Sequence, residues 1–310
     1  TVDLTMACLP ESMLLGGLFV AACIVSLCMG TSVGTIVALV PVAAEMSGRI
    51  ETPVPLMVAA VVGGAFFGDN LSFISDTTVA ATRTQECSMR DKFRTNFRIV
   101  LPAALVCLAI YVVMGYQHGA SAGVAHDSLH LWRVLPYLAV LVTAICGLNV
   151  LLSLTLGLVL TGLVGALDGT LTFVGWISSM AEGIGGMGEL ILISMMAGGL
   201  LAVVRKAGGV TYMVRGITRR VHSRRGAEVC IGVLVSLTNL CTANNTVAIL
   251  SVGSIVKDIA VRYGVDRRRS ASLLDIFSCV VQGIIPYGAQ LLMASGLALV
   301  SPMAIIPYLY

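Results

Sequence analysis

Two aspartates lie inside an apolar run of this chain, and few folds accommodate such a placement. Asp69 and Asp76 belong to the stretch 63–78, which follows one apolar segment and leads into another. Charged groups in an apolar span are costly, and they persist chiefly where they face ions, protons or water. The two carboxylates fall two turns apart on one face if the backbone stays helical, whereas Gly63 and Gly68 also allow an unwound break. We therefore predict that the functional site lies at 63–78.

The composition indicates a membrane protein. Of the 310 residues, 57% are hydrophobic and only 11% are charged, whereas a soluble domain carries about 25% charged residues. The apolar runs are long enough for spanning helices, which need about 20 residues. The nine cysteines are scattered and form no C-x-x-C pair, so neither a metal site nor a disulfide framework is indicated. We predict an all-α polytopic membrane protein without a cofactor.

Lysine and arginine residues concentrate in three segments, at 83–98, 205–225 and 257–269. By the positive-inside rule these segments are cytoplasmic, which predicts a multi-pass protein of the cytoplasmic (inner) membrane. Apolar residues at helical spacing among the arginines of 210–225 predict an amphipathic helix on the anionic inner leaflet. The lipid bilayer, and not a nucleic acid, is therefore the expected partner of this basic surface.

Two parts of the chain share one plan, which indicates an internal repeat. The glycine-aromatic-glycine pattern at 63–71 aligns with the pattern at 283–291, and 25–27 aligns with 235–237. Each part reads as a hairpin with a polar tip, followed by a broken helix. Basic segments flank the second hairpin but not the first, so the two parts are expected to have opposite orientations. Inverted repeats with discontinuous transmembrane helices are an architecture of secondary transporters.

The predicted organisation follows this repeat. The first repeat is assigned to residues 1–116, with a re-entrant hairpin (or two tight helices) at 12–46, a broken helix at 53–82 and a span at 97–116. An external loop at 117–131 joins it to the second repeat at 132–310, with spans within 132–204, a cytoplasmic amphipathic helix at 210–225, a hairpin at 226–262 and a broken helix at 270–300. The symmetry leads us to expect further residues before Thr1, and the apolar end of the sequence leads us to expect further residues after Tyr310.

Four segments carry a likeness to a known family. They read MGTSVGT at 29–35, FGDNLSFISDTT at 67–78, TANNT at 242–246 and IPYGAQ at 285–290. Together they resemble the NhaC-type sodium/proton antiporter family, within the wider ion transporter superfamily. Asn70 departs from the pattern, because many members carry a lysine after the first aspartate. The resemblance implies Na⁺ and H⁺ as substrates, and the wider superfamily suggests a homodimer.

We expect Asp69 and Asp76 to bind Na⁺ and protons alternately. A carboxylate removed from water favours its neutral, protonated form, which suits such a role. Neighbouring oxygen ligands for the cation are expected from Asn70, Ser72, Ser75 and Thr77. Supporting positions are expected at the other breaks, from Thr31, Ser32, Thr35, Asn244, Asn245, Thr246, Tyr287 and Gln290.

The second repeat is expected to contribute neutral oxygens rather than charge. Asp69 and Asn70 align with Ala289 and Gln290, so the alignment confines the carboxylates to the first repeat. Asp275 is expected near the inner mouth, where gating or a position at a helix start is as compatible with the sequence as ion binding.

Three other functions fit parts of the pattern. An organic-acid exchanger of the same fold, coupled to Na⁺ or H⁺, would use the hydroxyl-rich tips, but no lysine or arginine is expected inside any span to pair with an anion. A membrane aspartyl protease needs its two aspartates on separate helices, whereas here they share one stretch. A passive channel would not need paired broken helices. We therefore expect a secondary transporter that exchanges Na⁺ for H⁺ by alternating access, and not an enzyme.

Overall fold

The computed structural model describes residues 11–49, 52–118, 150–186 and 223–310, with scattered residues within 135–143 and 192–216. The regular structure of the described residues is helical, which confirms the all-α prediction. The helices with defined bounds are α1 (Glu11–Met29), α2 (Ser32–Arg49), α3 (Val54–Leu71), α4 (Asp76–Gln85), α5 (Met89–His118), α6 (Val150–Leu167), α7 (Phe173–Gly186), α8 (Arg224–Thr242), α9 (Asn245–Tyr263), α10 (Arg267–Ile284), α11 (Ala289–Ala298) and α12 (Pro302–Ile305).

Some predicted segments lie outside the described residues. These are nearly all of the loop predicted at 117–131, most of the amphipathic helix predicted at 210–225, and much of the spans predicted within 132–204. At the edges of these segments, α5 continues to His118, and Arg224 and Arg225 form the first turn of α8.

Three stretches of the described chain have the length and apolar character needed to cross a membrane. They are Val54–Gln85, Met89–Gln117 and Arg267–Ala298, with 32, 29 and 32 residues. The first is mostly buried within the protein, whereas the second turns most of its side chains outward, including Leu105 and Val106. A helix whose apolar side chains face outward suits a lipid environment, which agrees with a helical membrane protein.

The glycines of α3 serve close packing and do not break the helix. A Cβ atom on Gly64 would lie 2.5 Å from the carbonyl oxygen of Phe19, and one on Gly68 would lie 2.5 Å from that of Cys23. Small residues of this kind let two helix backbones approach closely. The α3 helix therefore continues through these glycines and ends at Leu71, so a break at the glycines themselves is wrong.

The interruption between α3 and α4 falls at residues 72–75. Ser72 and Ser75 both have extended backbone, with ψ angles of 139° and 137°. The Ser72 hydroxyl accepts a hydrogen bond from the backbone N–H of Ile74 at 3.4 Å. Serine side chains compete in this way with helical hydrogen bonding. In the second half, α10 and α11 are separated by residues 285–288, where Pro286 lacks a backbone donor.

The second segment of each broken helix packs in the hydrophobic core formed mainly by the other half of the chain. One core is built mainly from α1, α2 and α3, and it also contains Leu291 and Ala294 of α11. The other is built from α8, α9 and α10, and it also contains Ala80 and Ala81 of α4. Each half of the chain therefore completes the core of the other, and both interruptions lie where the chain passes between cores. The inverted relation of the two halves stays a prediction.

Candidate cation-binding site

The last turn of α3 presents two polar side chains at the interruption, surrounded by polar residues of other helices. Asp69 and Asn70 are each 3% exposed. The first turns of α5 bring Lys92 and Asn96 to the same place, and α10 brings Asp275. The residues Lys92 and Asn96 are four apart and therefore share one helix face.

Asp69 has one carboxylate oxygen free. Its Oδ1 is buried and has no hydrogen-bond partner. The hydroxyl groups of Ser75 and Ser32 interact with the carboxylate, and none of the ion pairs within the described part of the chain includes Asp69. Leaving a buried acceptor without a donor costs about 1–3 kcal/mol, and more when the group is charged. Binding of a proton or a metal cation at this oxygen would remove that cost.

Lys92 is buried beside this site, with 1% of its side chain exposed. Its ammonium forms an ion pair with Oδ2 of Asp275 and donates to the Asn70 carbonyl at 2.6 Å and to Thr78 Oγ1 at 2.8 Å. The Asn70 carbonyl lies in the last turn of α3, where carbonyl groups lack helical partners and a positive charge is favoured. The expectation that no lysine or arginine lies inside a span is therefore wrong. It failed because α5 begins at Met89, within the basic segment, so that Lys92 reaches back into the protein.

Asp275 belongs to this buried cluster and not to a helix start. It is the ninth residue of α10 and is fully buried, and the N-cap of that helix is Asp266, whose side chain accepts from the N–H of Arg268 at 2.8 Å. Of the alternatives left open for Asp275, a position at a helix start is therefore wrong. The second half also supplies a buried carboxylate, contrary to the confinement of the carboxylates to the first half, because the alignment of short motifs did not extend to this part of α10.

Asn96 connects the cluster across three helices. Its amide nitrogen donates to Asn70 Oδ1 at 2.9 Å, and its amide oxygen accepts from the hydroxyl of Ser272. The amide nitrogen of Asn70 is buried and has no partner. Asn96 therefore fixes the orientation of Asn70 next to Asp69.

Asp76 occupies a different environment from Asp69. It is the first residue of α4 and is exposed, and its Oδ2 accepts from the Thr246 hydroxyl at 2.7 Å. The interruption separates the two aspartates, so they do not lie on one continuous helix face. A carboxylate at a helix N-terminus is favoured by the helix dipole. Asp76 thus links α4 to α9 at the edge of the cluster.

Several other predicted residues lie around Asp69. The hydroxyl groups of Ser75 and Thr77 are hydrogen bonded at 2.9 Å, and both side chains are fully buried. Gln290, at the start of α11, donates to the Ser32 hydroxyl at 3.2 Å. The starts of α2, α4 and α11 therefore contribute polar atoms to one region.

The remaining predicted residues have contacts within their own turns or with backbone. Asn244 caps α9 by accepting from Val247, and Thr31 accepts from the N–H of Gly34. Tyr287 is exposed and donates to a backbone carbonyl of α8. The side chains of Ser72, Thr35 and Asn245 also form hydrogen bonds with backbone atoms. The Asn245 side chain contacts the sulfur of Cys279 as well.

The sequence-based prediction did not include Lys92 and Asn96 and left the position of Asp275 open. The spacing of polar residues in both helices nevertheless indicates a buried polar face. Lys92 and Asn96 have helical spacing next to an apolar run. In α10 the polar residues Ser272, Asp275 and Gln282 recur at helical intervals within an apolar segment, which indicates a buried polar face. These patterns show which face is polar, but not which distant helix meets it.

The charges of the cluster do not balance. Among the described residues the buried charged side chains are Asp69, Lys92 and Asp275. In their ionised forms, two carboxylates and one ammonium sum to a formal charge of −1 in this buried site. One monovalent cation or one proton would neutralise it.

Comparison with known proteins supports a cation transporter. A profile of the Na⁺/H⁺ antiporter family matches residues 2–116 and 122–310. The chain is 22% identical to the Malate-2H(+)/Na(+)-lactate antiporter of Bacillus subtilis, over 97% of this chain and 70% of that protein. It is 26% identical to the Na(+)/H(+) antiporter NhaC of the same organism, over 91% and 69%.

A further relative is an uncharacterized Na(+)/H(+) antiporter of Haemophilus influenzae, with 24% identity over 96% of this chain and 71% of that protein. No solved structure matches the chain. The family profile covers both halves of the chain, including α3, α5 and α10, which carry the buried charges. The protein therefore belongs to the Na⁺/H⁺ antiporter family.

Proposed function

We propose that this protein exchanges Na⁺ for H⁺ across the cytoplasmic membrane, and that Asp69 binds the two cations in turn. The observation that carries this proposal is the single unbalanced negative charge of the buried cluster, together with the unpartnered Oδ1 of Asp69. Carboxylate, hydroxyl and helix-end carbonyl oxygens are suitable ligands for Na⁺ in transporters. The hydroxyl groups of Ser32 and Ser75 would complete the ligand set.

The same charge gives a physical reason for coupled exchange. Na⁺ and H⁺ compete for one carboxylate, so occupancy by one excludes the other. A site left empty would keep an uncompensated charge away from water, which is strongly unfavourable. The loaded forms are therefore favoured when the site is closed to both sides, and net leak of either ion is disfavoured.

The exposed Asp76 fits a role at the entrance rather than at the central site. It directly follows the interruption as the first residue of α4, and it contacts Thr246 of the other half. We propose that it attracts the cation and passes it towards Asp69. The multi-pass arrangement and the inverted repeats with their re-entrant hairpins belong to this proposal as predictions from the sequence and its charge distribution. The homodimer belongs to it as what the resemblance to the wider superfamily suggests.

Organic-acid exchange is the second candidate function. Lys92 supplies a buried cation, and the Malate-2H(+)/Na(+)-lactate antiporter of Bacillus subtilis is a relative. Against this candidate, Lys92 is already paired with Asp275, and the cluster as a whole is negative. An anion would therefore meet repulsion from Asp69. Na⁺/H⁺ exchange is favoured for this reason.

The test uses purified protein in vesicles with a pH-sensitive dye inside. Addition of Na⁺ outside should move protons in the wild-type protein, and Asp69→Asn should abolish this movement. Asp76→Asn is the matched control, because it removes an exposed carboxylate only seven residues away; we expect exchange to persist at higher Na⁺ concentration. Equal exchange by wild type and Asp69→Asn would refute the assignment of Asp69. Proton movement driven by malate or lactate and not by Na⁺ would favour the second candidate.

A further inference from the structure

The oxygen atoms around Lys92 form a set that would suit a free cation. The ammonium contacts a backbone carbonyl of Asn70, a hydroxyl of Thr78 and a carboxylate oxygen of Asp275. Hard cations bind to these same three kinds of oxygen. The carbonyl belongs to the end of α3, where the helix dipole also favours positive charge.

Lys92 uses all of its hydrogen-bond donors on these three oxygen atoms. A lysine ammonium has three N–H donors and no acceptor, and the structure gives it three acceptors, on α3, α4 and α10. The ammonium and Asp275 are buried to within 1% of their side-chain surface. A free cation would have to displace a charge that is covalently held at the site, and such a tethered group acts at a very high effective concentration.

We propose that the cluster of Asn70, Thr78 and Asp275 is a second cation site whose permanent occupant is the Lys92 ammonium. This inference rests on the proposed function, because it explains why only Asp69 remains available to Na⁺ and H⁺. Lys92 thereby limits the exchangeable charge of the buried site to one. Without its ammonium, the cluster would carry two uncompensated carboxylates and would take up a second cation.

Three variants test this assignment. Lys92→Met keeps the apolar length of the side chain and removes the charge, so Asp275 should take up a cation from solution. Asp275→Asn leaves the ammonium without its carboxylate, and Asp69 is then the one remaining buried carboxylate among the described residues. The double variant Lys92→Met with Asp275→Asn removes both charges and restores the net charge of the wild-type cluster.

The measurement is the number of ²²Na⁺ ions bound per protein in detergent at alkaline pH, by equilibrium dialysis. We expect one for the wild type, two for Lys92→Met and one for the double variant. Asp275→Asn should bind Na⁺ at least about tenfold more weakly, because the freed ammonium competes for Asp69 at a cost of about 1.4 kcal/mol or more in binding. The double variant should recover the wild-type affinity.

The outcomes separate this inference from the proposed function. If Asp69→Asn in the wild-type background leaves Na⁺ binding unchanged, the proposed function fails, whatever the result for Lys92→Met. If Asp69→Asn abolishes binding but Lys92→Met binds no additional Na⁺, the second site is refuted and the proposed function stands. Should Lys92→Met aggregate on size-exclusion chromatography, the other two variants decide: equal affinity of Asp275→Asn and the double variant would also refute the second site.

Discussion

Asp69 and Asp275 are both buried, yet their surroundings give them different chemistry. Asp275 is paired with Lys92 and has further contacts with Thr78 and Asn96, whereas Oδ1 of Asp69 has no donor. Asp275 therefore has a fixed counter-charge in the Lys92 ammonium, whereas Asp69 has no ion-pair partner within the described part of the chain. The Lys92 ammonium reaches the Asn70 carbonyl from α5, so a buried lysine lies beside this turn although residue 70 itself is an asparagine.

The ion pair gives a prediction about stability at the residue scale. Lys92→Met leaves the buried Asp275 without its partner, and loss of one member of a buried pair typically costs about 3–5 kcal/mol. Thermal unfolding in detergent without Na⁺ should therefore show a lower Tm than the wild type. Added Na⁺ should recover part of the loss, because a ligand that binds only the folded state stabilises it.

The control for this prediction is the double variant with Asp275→Asn. Removing both charges leaves no uncompensated ion, so its Tm should lie well above that of Lys92→Met. A double variant as unstable as the single one would show that packing of the lysine side chain, and not its charge, supports the fold.

At the scale of elements, the contact between α1 and α3 depends on missing side chains. Gly68 lies against the Cys23 carbonyl and the Leu27 backbone nitrogen, and a Cβ atom would come within 2.5 and 2.6 Å of them. Neither backbone atom can move without moving α1. The same close contact holds the end of α3, and thus Asp69, in place.

Gly68→Ala should therefore lower stability and Na⁺ binding together. Overpacking in a closely packed interior costs about 1–3 kcal/mol, and here backbone must shift, so the upper part of that range is expected. Gly63→Ala on the same helix is the control. Its Cβ would meet only ordinary contacts, at 3.6 Å from the Tyr111 hydroxyl oxygen and 3.7 Å from the Phe19 ring. Tm values in detergent compare the two, and equal losses would contradict the packing role of Gly68.

The end of α4 is joined to α9 and α10 by exposed ion pairs. Glu86 contacts Lys257 at 2.7 Å and Arg267 at 3.3 Å. A hydrogen bond and attraction from Lys257, with attraction from Arg267, lower the pKa of Glu86. A lowered carboxyl pKa stabilises the folded state at pH values above its ordinary range, and this stabilisation is lost as pH falls through the lowered value.

Glu86→Gln should therefore reduce Tm at neutral and alkaline pH, and the difference from wild type should vanish in acid. The effect should be small and should shrink with added salt, because the pairs are exposed. Tm measured across pH at two salt concentrations checks this. A difference that grows as pH falls would contradict the assigned sign.

The sequence predicted which segments are helical better than it predicted where each helix ends. The lengths of the apolar runs indicated the helices, and the three basic segments indicated their orientation. The interruption at 72–75 also lay inside the predicted site. The glycines at 64 and 68 were ambiguous, because glycine serves both an unwound segment and a close helix contact. Only the position of α1 distinguishes the two uses, and that position depends on tertiary packing.

At the scale of the whole molecule, the two large hydrophobic cores of the described residues exchange helical segments. Ala80 and Ala81 of α4 help to fill the core of α8, α9 and α10, while Leu291 and Ala294 of α11 help to fill the other. The candidate cation site lies next to these exchanges. The ion pair between Lys92 and Asp275 joins residues that are far apart in the chain. A single sequence does not show which distant residues come into contact, so the site could be predicted only in part.

This exchange predicts that the two halves fold only together. If the chain is divided between 119 and 149, neither fragment alone should give a monodisperse protein in detergent, because each lacks part of its core. Coexpression of the two fragments should give a stable complex that binds Na⁺. Stable, independently purified fragments would show that the exchanged segments contribute little to either core.

Cys279 gives the cluster a natural chemical reporter. Its sulfur lies 3.8 Å from Oδ1 of Asp275, accepts from the amide of Asn245, and is buried with 5% exposure. A hydrophilic maleimide can modify this thiol only when water reaches the cluster. In a variant that keeps Cys279 as its single cysteine, the labelling rate from each side of a vesicle would therefore record how often the protein opens to that side, and how Na⁺ changes those openings.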